Sequence, residues 1–260
     1  MNKINAVFFD IDGTIYDGEH GEIPLSAIHG LQALQDKKIK IFLATGRSLP
    51  AVQASRLDDV IRWDGYVCSN GACLHAQDFQ VLWSSAFQHN QLEHLFRLTE
   101  HYQVGLVLQS ADEVFAPFGI SEVMTEAYRF FHNPVPVESP YTKQTVTMAL
   151  AFQQKGFDFH CLEAVRGLTA IPGKANYADL IQTGITKSTG IQQIRELLKL
   201  TDGAWMAFGD ADNDLEMLQA ANIGVAMGNA TCLIKEKADY ITTGIQENGI
   251  YNALRHFGLI

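Results

Sequence analysis

Ala6-Val7-Phe8-Phe9 runs without a polar break and stops at two carboxylates, in the segment Asp10-Ile11-Asp12-Gly13-Thr14. A strand that is apolar on both faces must be covered on both faces, which is the situation of an inner strand of a parallel sheet. Gly13 then permits a sharp turn. Pro24 and Ser26 open a helix with Ile28, Leu31 and Leu34 along one face, and Ile39 to Ala44 reads as a second apolar strand, stopped by Thr45-Gly46-Arg47. Strand, helix, strand at this spacing is a βαβ unit, so the two strands are expected to be parallel.

The same rhythm returns late in the chain. Ile191, Ile194, Leu197 and Leu198 mark an amphipathic helix opened by Ser188 or Thr189. Ala204 to Phe208 reads as a strand ending at Gly209-Asp210, followed by a helix over Leu215 to Ala221 and short strands at Ile223–Ala226 and Ala238–Ile241. Between the two ends the pattern changes. Helices are expected near 90–101, 121–131 and 158–165, with the clearest strand at Thr145–Phe152 and a hairpin signal at Pro172-Gly173-Lys174 between strands at 168–171 and 177–181. Consecutive strands joined by turns indicate a partly antiparallel module. The expected class is therefore α/β, with a parallel-sheet core made of 1–81 and 185–260 and an inserted α+β cap at 82–184.

Twenty-nine acidic against nineteen basic residues give a formal net charge of −10, which argues against nucleic acid as a partner. It leaves room for a small phosphorylated metabolite, because a bound cation and local donors can reverse the field inside one cleft. No apolar stretch is long enough for a membrane span, and Met1 to Phe9 is not patterned as a signal peptide. Cys68, Cys73, Cys161 and Cys232 form neither a Cys-x-x-Cys pair nor a zinc-spaced cluster, so reduced thiols and a cytoplasmic location are expected.

Open α/β sheets bind ligands at the carboxyl ends of their strands. Polar clusters fall at such ends or at helix starts: Asp10 with Asp12, Thr45-Gly46-Arg47, Lys187, and Asp210 with Asn213 and Asp214. Phosphoryl transfer needs this set. Asp10 can attack phosphorus and form an acyl phosphate. Asp12 can protonate the leaving oxygen and later deprotonate water. Thr45 and the Gly46 amide can donate to a phosphoryl oxygen, and Lys187 lies just ahead of a helix whose N-terminal amides favour anions. Asp210 and Asp214, converging on Asp10, would repel it unless a cation intervenes, and all-oxygen ligands suit magnesium. Each cluster alone has a plainer explanation: an Asp-Gly turn with a capping Thr, an acidic helix cap, a strand-ending turn, a solvated Lys. The acidic run also has a superficial likeness to a calcium loop, but it lacks that loop's Gly and distal Glu.

Taken together, Phe9-Asp10-Ile11-Asp12-Gly13-Thr14, Ala44-Thr45-Gly46-Arg47, Lys187 and Gly209-Asp210-Ala211-Asp212-Asn213-Asp214 resemble the four signatures of the haloacid dehalogenase-like superfamily. The large insertion, preceded by Ser69-Asn70-Gly71-Ala72, is similar to that of Cof-type (subfamily IIB) sugar-phosphate phosphatases. The resemblance implies a Rossmann-like core with a mobile cap, and hydrolysis of a phosphate monoester through an aspartyl-phosphate on Asp10. It implies Mg2+ held by Asp10, the Asp12 backbone carbonyl and Asp210, with Asp214 and Asn213 close behind. Lys187 would neutralise Asp10 and the phosphoryl group, which Thr45 and Gly46 would bind. Arg47, Asn70, Lys174 and Asn176 are polar candidates for leaving-group contacts. Two other functions share these motifs: a phosphomutase or phosphotransferase using the same aspartyl-phosphate, and a non-catalytic regulatory phosphoacceptor.

Overall fold

The computed structural model describes residues 3–130, 134–173 and 176–260. The chain divides into two compact units, one of Met1–Arg47, Ser55–Trp83 and Thr186–Ile260, the other of Ser48–Ala54 and Ser84–Ile185. In chain order the elements are β1 (Ile4–Phe9), α1 (Leu25–Asp36), β2 (Lys40–Ala44), α2 (Leu49–Ala54), β3 (Gly65–Cys68), β4 (Cys73–Ala76) and β5 (Val81–Ser84). Next come α3 (His89–Tyr102), β6 (Gly105–Gln109), β7 (Val114–Ala116), α4 (Glu122–Phe130), β8 (Val137–Glu138), β9 (Met148–Phe152), a 3-10 turn over Phe159–Ala164, β10 (Leu168–Pro172) and β11 (Tyr177–Gln182). The last part holds α5 (Lys187–Leu197), β12 (Ala204–Gly209), α6 (Leu215–Ala220), β13 (Ile223–Ala226), α7 (Cys232–Lys237), β14 (Tyr240–Ile241) and α8 (Gly249–His256).

The first unit is built on a sheet in the order β14-β13-β12-β1-β2-β3-β4-β5. From β14 through β3 every neighbour is parallel, and β4 turns back antiparallel on β3. The apolar run of β1 is fully buried between β12 and β2, with Phe8 opposite Ala207 on one side and Phe42 on the other. Phe8 stacks on Phe42 at 4.7 Å, and Phe9 stacks on Phe208 at 5.0 Å. Such pairs contribute about 0.5–1.5 kcal/mol beyond the burial of their area. They tie together the strands whose carboxyl ends carry Asp10, Thr45 and Asp210. Strand order reverses at β1, since the chain proceeds to β2 on one side and reaches β12 on the other only much later. Ligand crevices of open α/β sheets form at such a switch point.

The second unit has a sheet in the order β10-β11-β9-β6-β7-β8, antiparallel except for the β7–β8 pair. Side chains alternate across β6. Leu106 and Leu108 join Leu92 and Leu95 of α3, and Val107 joins Met124 and Ala127 of α4, so α3 and α4 cover opposite faces.

Several boundaries differ from those read in the sequence. The strand expected from Thr145 begins only at Met148, and the helix expected at 158–165 is a 3-10 turn over Phe159–Ala164, capped by Asp158 accepting from His160 N–H. Lys174 lies outside the described residues. Among the described residues no helix is long and apolar enough to cross a membrane.

Candidate active site

Asp10 follows β1 directly. Its N–H continues the parallel ladder, donating to Phe208 C=O at 3.0 Å, which sets the side chain at the sheet's carboxyl edge. The carboxylate is buried, and Oδ1 accepts from Lys187 Nζ at 2.6 Å. The same ammonium donates to Asp214 Oδ1 at 2.7 Å, with Lys187 1% and Asp214 0% exposed. Lys187 is the first residue of α5, not a residue ahead of it. The cap is Thr186, whose hydroxyl accepts from Thr189 N–H and whose own N–H donates to Thr189 Oγ1. The Ser188 or Thr189 start expected from sequence is therefore displaced, and the reciprocal Thr186/Thr189 box is the signal for it.

Burial works against the Lys187 charge, but Asp10 and Asp214 outweigh it and hold the ammonium's pKa above its ordinary value. For Asp10, burial raises the carboxyl pKa, Lys187 lowers it, and Asp214, Asp210 and Asp12 raise it again; the net is well above the ordinary range. One cation among so many carboxylates leaves a negative excess that calls for a second positive charge.

Carboxylate oxygens of Asp10, Asp210 and Asp214 lie within 4.8 Å of one another. Asp210 is held for this by its neighbours. Its Oδ1 accepts from Thr14 Oγ1 at 3.3 Å, and its N–H donates to Asp214 Oδ2 at 2.9 Å. Gly13, at φ +88°, passes so close that a Cβ there would lie 2.5 Å from Asp210 Oδ2. A hard divalent cation with oxygen ligands fits this donor set. Asp214 is the most committed member. Besides Lys187 it accepts from the N–H groups of Asp210 and Ala211, which suits a residue that shapes the loop from behind.

Thr45, Gly46, Arg47 and Asn70 follow neighbouring strands of the same sheet. Thr45 follows β2 and is buried, its N–H donating to Val67 C=O and its hydroxyl accepting from Arg47 N–H at 3.1 Å. Asn70 follows β3 at φ +52°, donates its N–H to Thr45 C=O at 2.9 Å, and accepts from Asn213 Nδ2 at 3.1 Å through Oδ1. A Cβ on Gly46 would come 3.2 Å from Asn70 Oδ1, so Thr45, Gly46, Asn70 and Asn213 form one connected edge. Arg47 meets Asp12 in a two-point ion pair. Asn176 lies in the second unit, in a left-handed conformation at φ +56°.

Sequence reasoning missed three participants. Asn229 donates Nδ2 to Gly13 C=O at 2.8 Å while its Oδ1 accepts from Ile245 N–H, tying the Asp12–Gly13 turn to the far end of the chain. Thr14 is an Asp210 partner, and Tyr16 lies under Arg47. The position of Asn229 just past β13, at another carboxyl strand end, could have flagged it. Nothing in the sequence flags Tyr16.

Gly71 offers a first test. It sits at φ +97°, and a Cβ would fall 2.1 Å from Thr186 C=O, one residue before Lys187. Gly71→Ala is expected to cost at least about 2 kcal/mol, since backbone strain and a backbone clash combine. Denaturant unfolding measures it, and a midpoint unchanged from wild type would contradict it.

The model of the haloacid dehalogenase-like hydrolase family matches residues 7–254. The chain belongs to the haloacid dehalogenase-like hydrolases. Two relatives come from Bacillus subtilis. One, YkrA, is provisionally named a phosphatase and is 28% identical over 256 residues, covering 98% of each chain. The other is the 5-amino-6-(5-phospho-D-ribitylamino)uracil phosphatase YcsE, 26% identical over 260 residues, covering 98% of this hydrolase and 96% of that protein. Among solved structures, a subclass IIB sugar phosphatase is 32% identical with a TM-score of 0.85, covering 98% of this hydrolase and all of that chain.

Proposed function

We propose that this haloacid dehalogenase-like phosphatase hydrolyses a small phosphate monoester, a sugar phosphate or a related phosphorylated metabolite, through an aspartyl-phosphate on Asp10. The observation that carries the proposal is the buried Lys187 ammonium bridging Asp10 and Asp214 at a carboxyl strand edge, with Asp210 beside them. A stabilising role alone would not call for this arrangement, because buried ion pairs rarely add net stability. Phosphoryl transfer needs positioning and charge neutralisation, which the cluster provides.

In the proposed sequence an Asp10 carboxylate oxygen bonds to phosphorus as the bond from phosphorus to the leaving oxygen breaks. Asp12 gives that oxygen its proton. Water then attacks the phosphorus of the acyl phosphate, passes a proton to Asp12, and inorganic phosphate leaves with Asp10 regenerated. Lys187 offsets charge on Asp10 and the phosphoryl oxygens, while the Thr45 hydroxyl and Gly46 N–H bind those oxygens. Magnesium would be held by Asp10, the Asp12 carbonyl and Asp210, with Asp214 and Asn213 behind, and supplies positive charge when bound.

The sugar-phosphatase likeness and the ribityl phosphate substrate in the name of the Bacillus relative support a polyhydroxylated leaving group. The core residues touch only what every monoester shares, so discrimination is assigned to the inserted segment. The test is a panel of phosphorylated metabolites, assayed with magnesium for released phosphate. Isomerised sugar phosphate without free phosphate would replace hydrolysis by mutase chemistry. On the esters that react, Asn176→Ala is expected to change relative kcat/KM among metabolites several-fold and to change an aryl phosphate much less. Lys187→Ala should depress all of them alike. Uniform losses from Asn176→Ala, or selective losses from Lys187→Ala, would reverse the assignment.

A further inference from the structure

Arg47 lies two residues past Thr45 with its side chain only 12% exposed. Its fork meets both oxygens of Asp12: Nε donates to Oδ2 at 2.8 Å and Nη2 to Oδ1 at 2.6 Å. The guanidinium also lies over the Tyr16 ring, 5.7 Å from its centroid. The Arg47 backbone is fixed at both ends, its N–H donating to Thr45 Oγ1 and its C=O accepting from Ser69 N–H at 2.9 Å. Asp12 and Tyr16 are joined by a backbone bridge, and Gly13 N–H donates to Tyr16 C=O at 3.0 Å. Asp12, Arg47 and Tyr16 therefore close a ring of contacts, although Arg47 is 35 positions from Asp12 in the chain.

Stability does not explain this ring. The Asp12 side chain is 54% exposed, and an ion pair with one partner that open to water is worth about 1 kcal/mol or less. Its geometric effect is larger. A half-exposed carboxylate on a turn samples several rotamers, whereas a planar two-point fork seated on an aromatic ring leaves it one orientation.

We propose that Arg47, seated on Tyr16, is the positioning residue that aims the Asp12 carboxyl group at the leaving oxygen. The inference rests on the acid/base role proposed above for Asp12. Arg47 gives up no proton in either step. The proton that reaches the leaving oxygen comes from the Asp12 carboxyl, and the one returned comes from the attacking water. While Asp12 is protonated it keeps an oxygen that can accept one arm of the fork, so the aim persists through the cycle.

The consequence depends on the leaving group. An alkoxide must be protonated as it departs, and a nitrophenolate need not be. The experiment measures kcat and KM of wild type, Arg47→Gln, Tyr16→Phe, Tyr16→Leu and Asp12→Asn on an alkyl phosphate that the enzyme turns over and on nitrophenyl phosphate. Arg47→Gln is expected to lose about a hundredfold on the alkyl ester, in kcat, as a misaimed group does, and about tenfold or less on the aryl ester. Tyr16→Phe keeps the ring under Arg47 and should lose less than Tyr16→Leu on the alkyl ester. Tyr16→Leu should show the alkyl-selective loss at smaller size, and it carries the test if Arg47→Gln folds poorly. Equal losses on both esters from Arg47→Gln, with Asp12→Asn still alkyl-selective, would overturn the positioning role and leave that of Asp12 standing. Equal losses from Asp12→Asn itself would remove the acid/base role, and the positioning role with it.

Discussion

Asp10→Asn is expected to abolish phosphate release, with a loss of at least about a thousandfold and up to about a millionfold in kcat. The amide has no anionic oxygen with which to form an acyl phosphate. The fold should survive. The Asn amide oxygen can still accept from Lys187, which also keeps Asp214 as its anionic partner. Removing a charge that burial and three other carboxylates oppose relieves repulsion within the cluster. Phosphate release by the purified variant, together with its thermal melt, decides the matter. Retention of more than a few per cent of wild-type turnover in a folded variant would rule out Asp10 as the nucleophile.

Asp210→Ala carries the second large effect. It should remove magnesium binding and activity together, the latter by about a thousandfold, because a cation at a phosphoryl group contributes several kcal/mol to the transition state. Calorimetric titration of magnesium into the protein without substrate separates binding from turnover. Wild type should lose activity in excess chelator and regain it with magnesium. Calcium should bind yet support little turnover, since its larger, looser coordination misplaces oxygen ligands. In chelator, Asp210→Ala should melt close to wild type, because relief of repulsion around Asp10 offsets the loss of the Thr14 hydrogen bond. Full wild-type activity in chelator would sink the metal assignment.

How much of this was legible depended on how local the signal was. The strand runs ending at Asp10, Thr45 and Asp210 were readable because an inner parallel strand must be apolar on both faces, and its first polar residue marks the carboxyl edge. Lys187 is legible from its company, but the helix start read from sequence falls two or three residues late, since Ser188 and Thr189 compete as caps with the Thr186 that wins. In the second unit, boundaries slipped where packing overrides propensity. Val146 and Thr147 are buried without belonging to β9, and the turn at Phe159–Ala164 is fixed by Phe159 and Leu162 anchoring in the core more than by helix periodicity. The Arg47–Asp12 fork, the Tyr16 platform and the Asn229 tie join residues far apart in the chain, and no local pattern encodes them.

The place of β1 between β2 and β12 also bears on how the chain is made. As the polypeptide emerges from its N-terminal end, β2 can pair with β1 early, but the residues opposite Phe8 and Phe9 on the other side are Ala207 and Phe208. Until they arrive, β1 is an open, strongly apolar edge, the kind of surface that recruits a neighbouring chain. Ribosome-stalled chains ending before β12 should therefore be the species most dependent on chaperones, and the finished protein should fold slowly for its size, because its central pairing spans so much of its length.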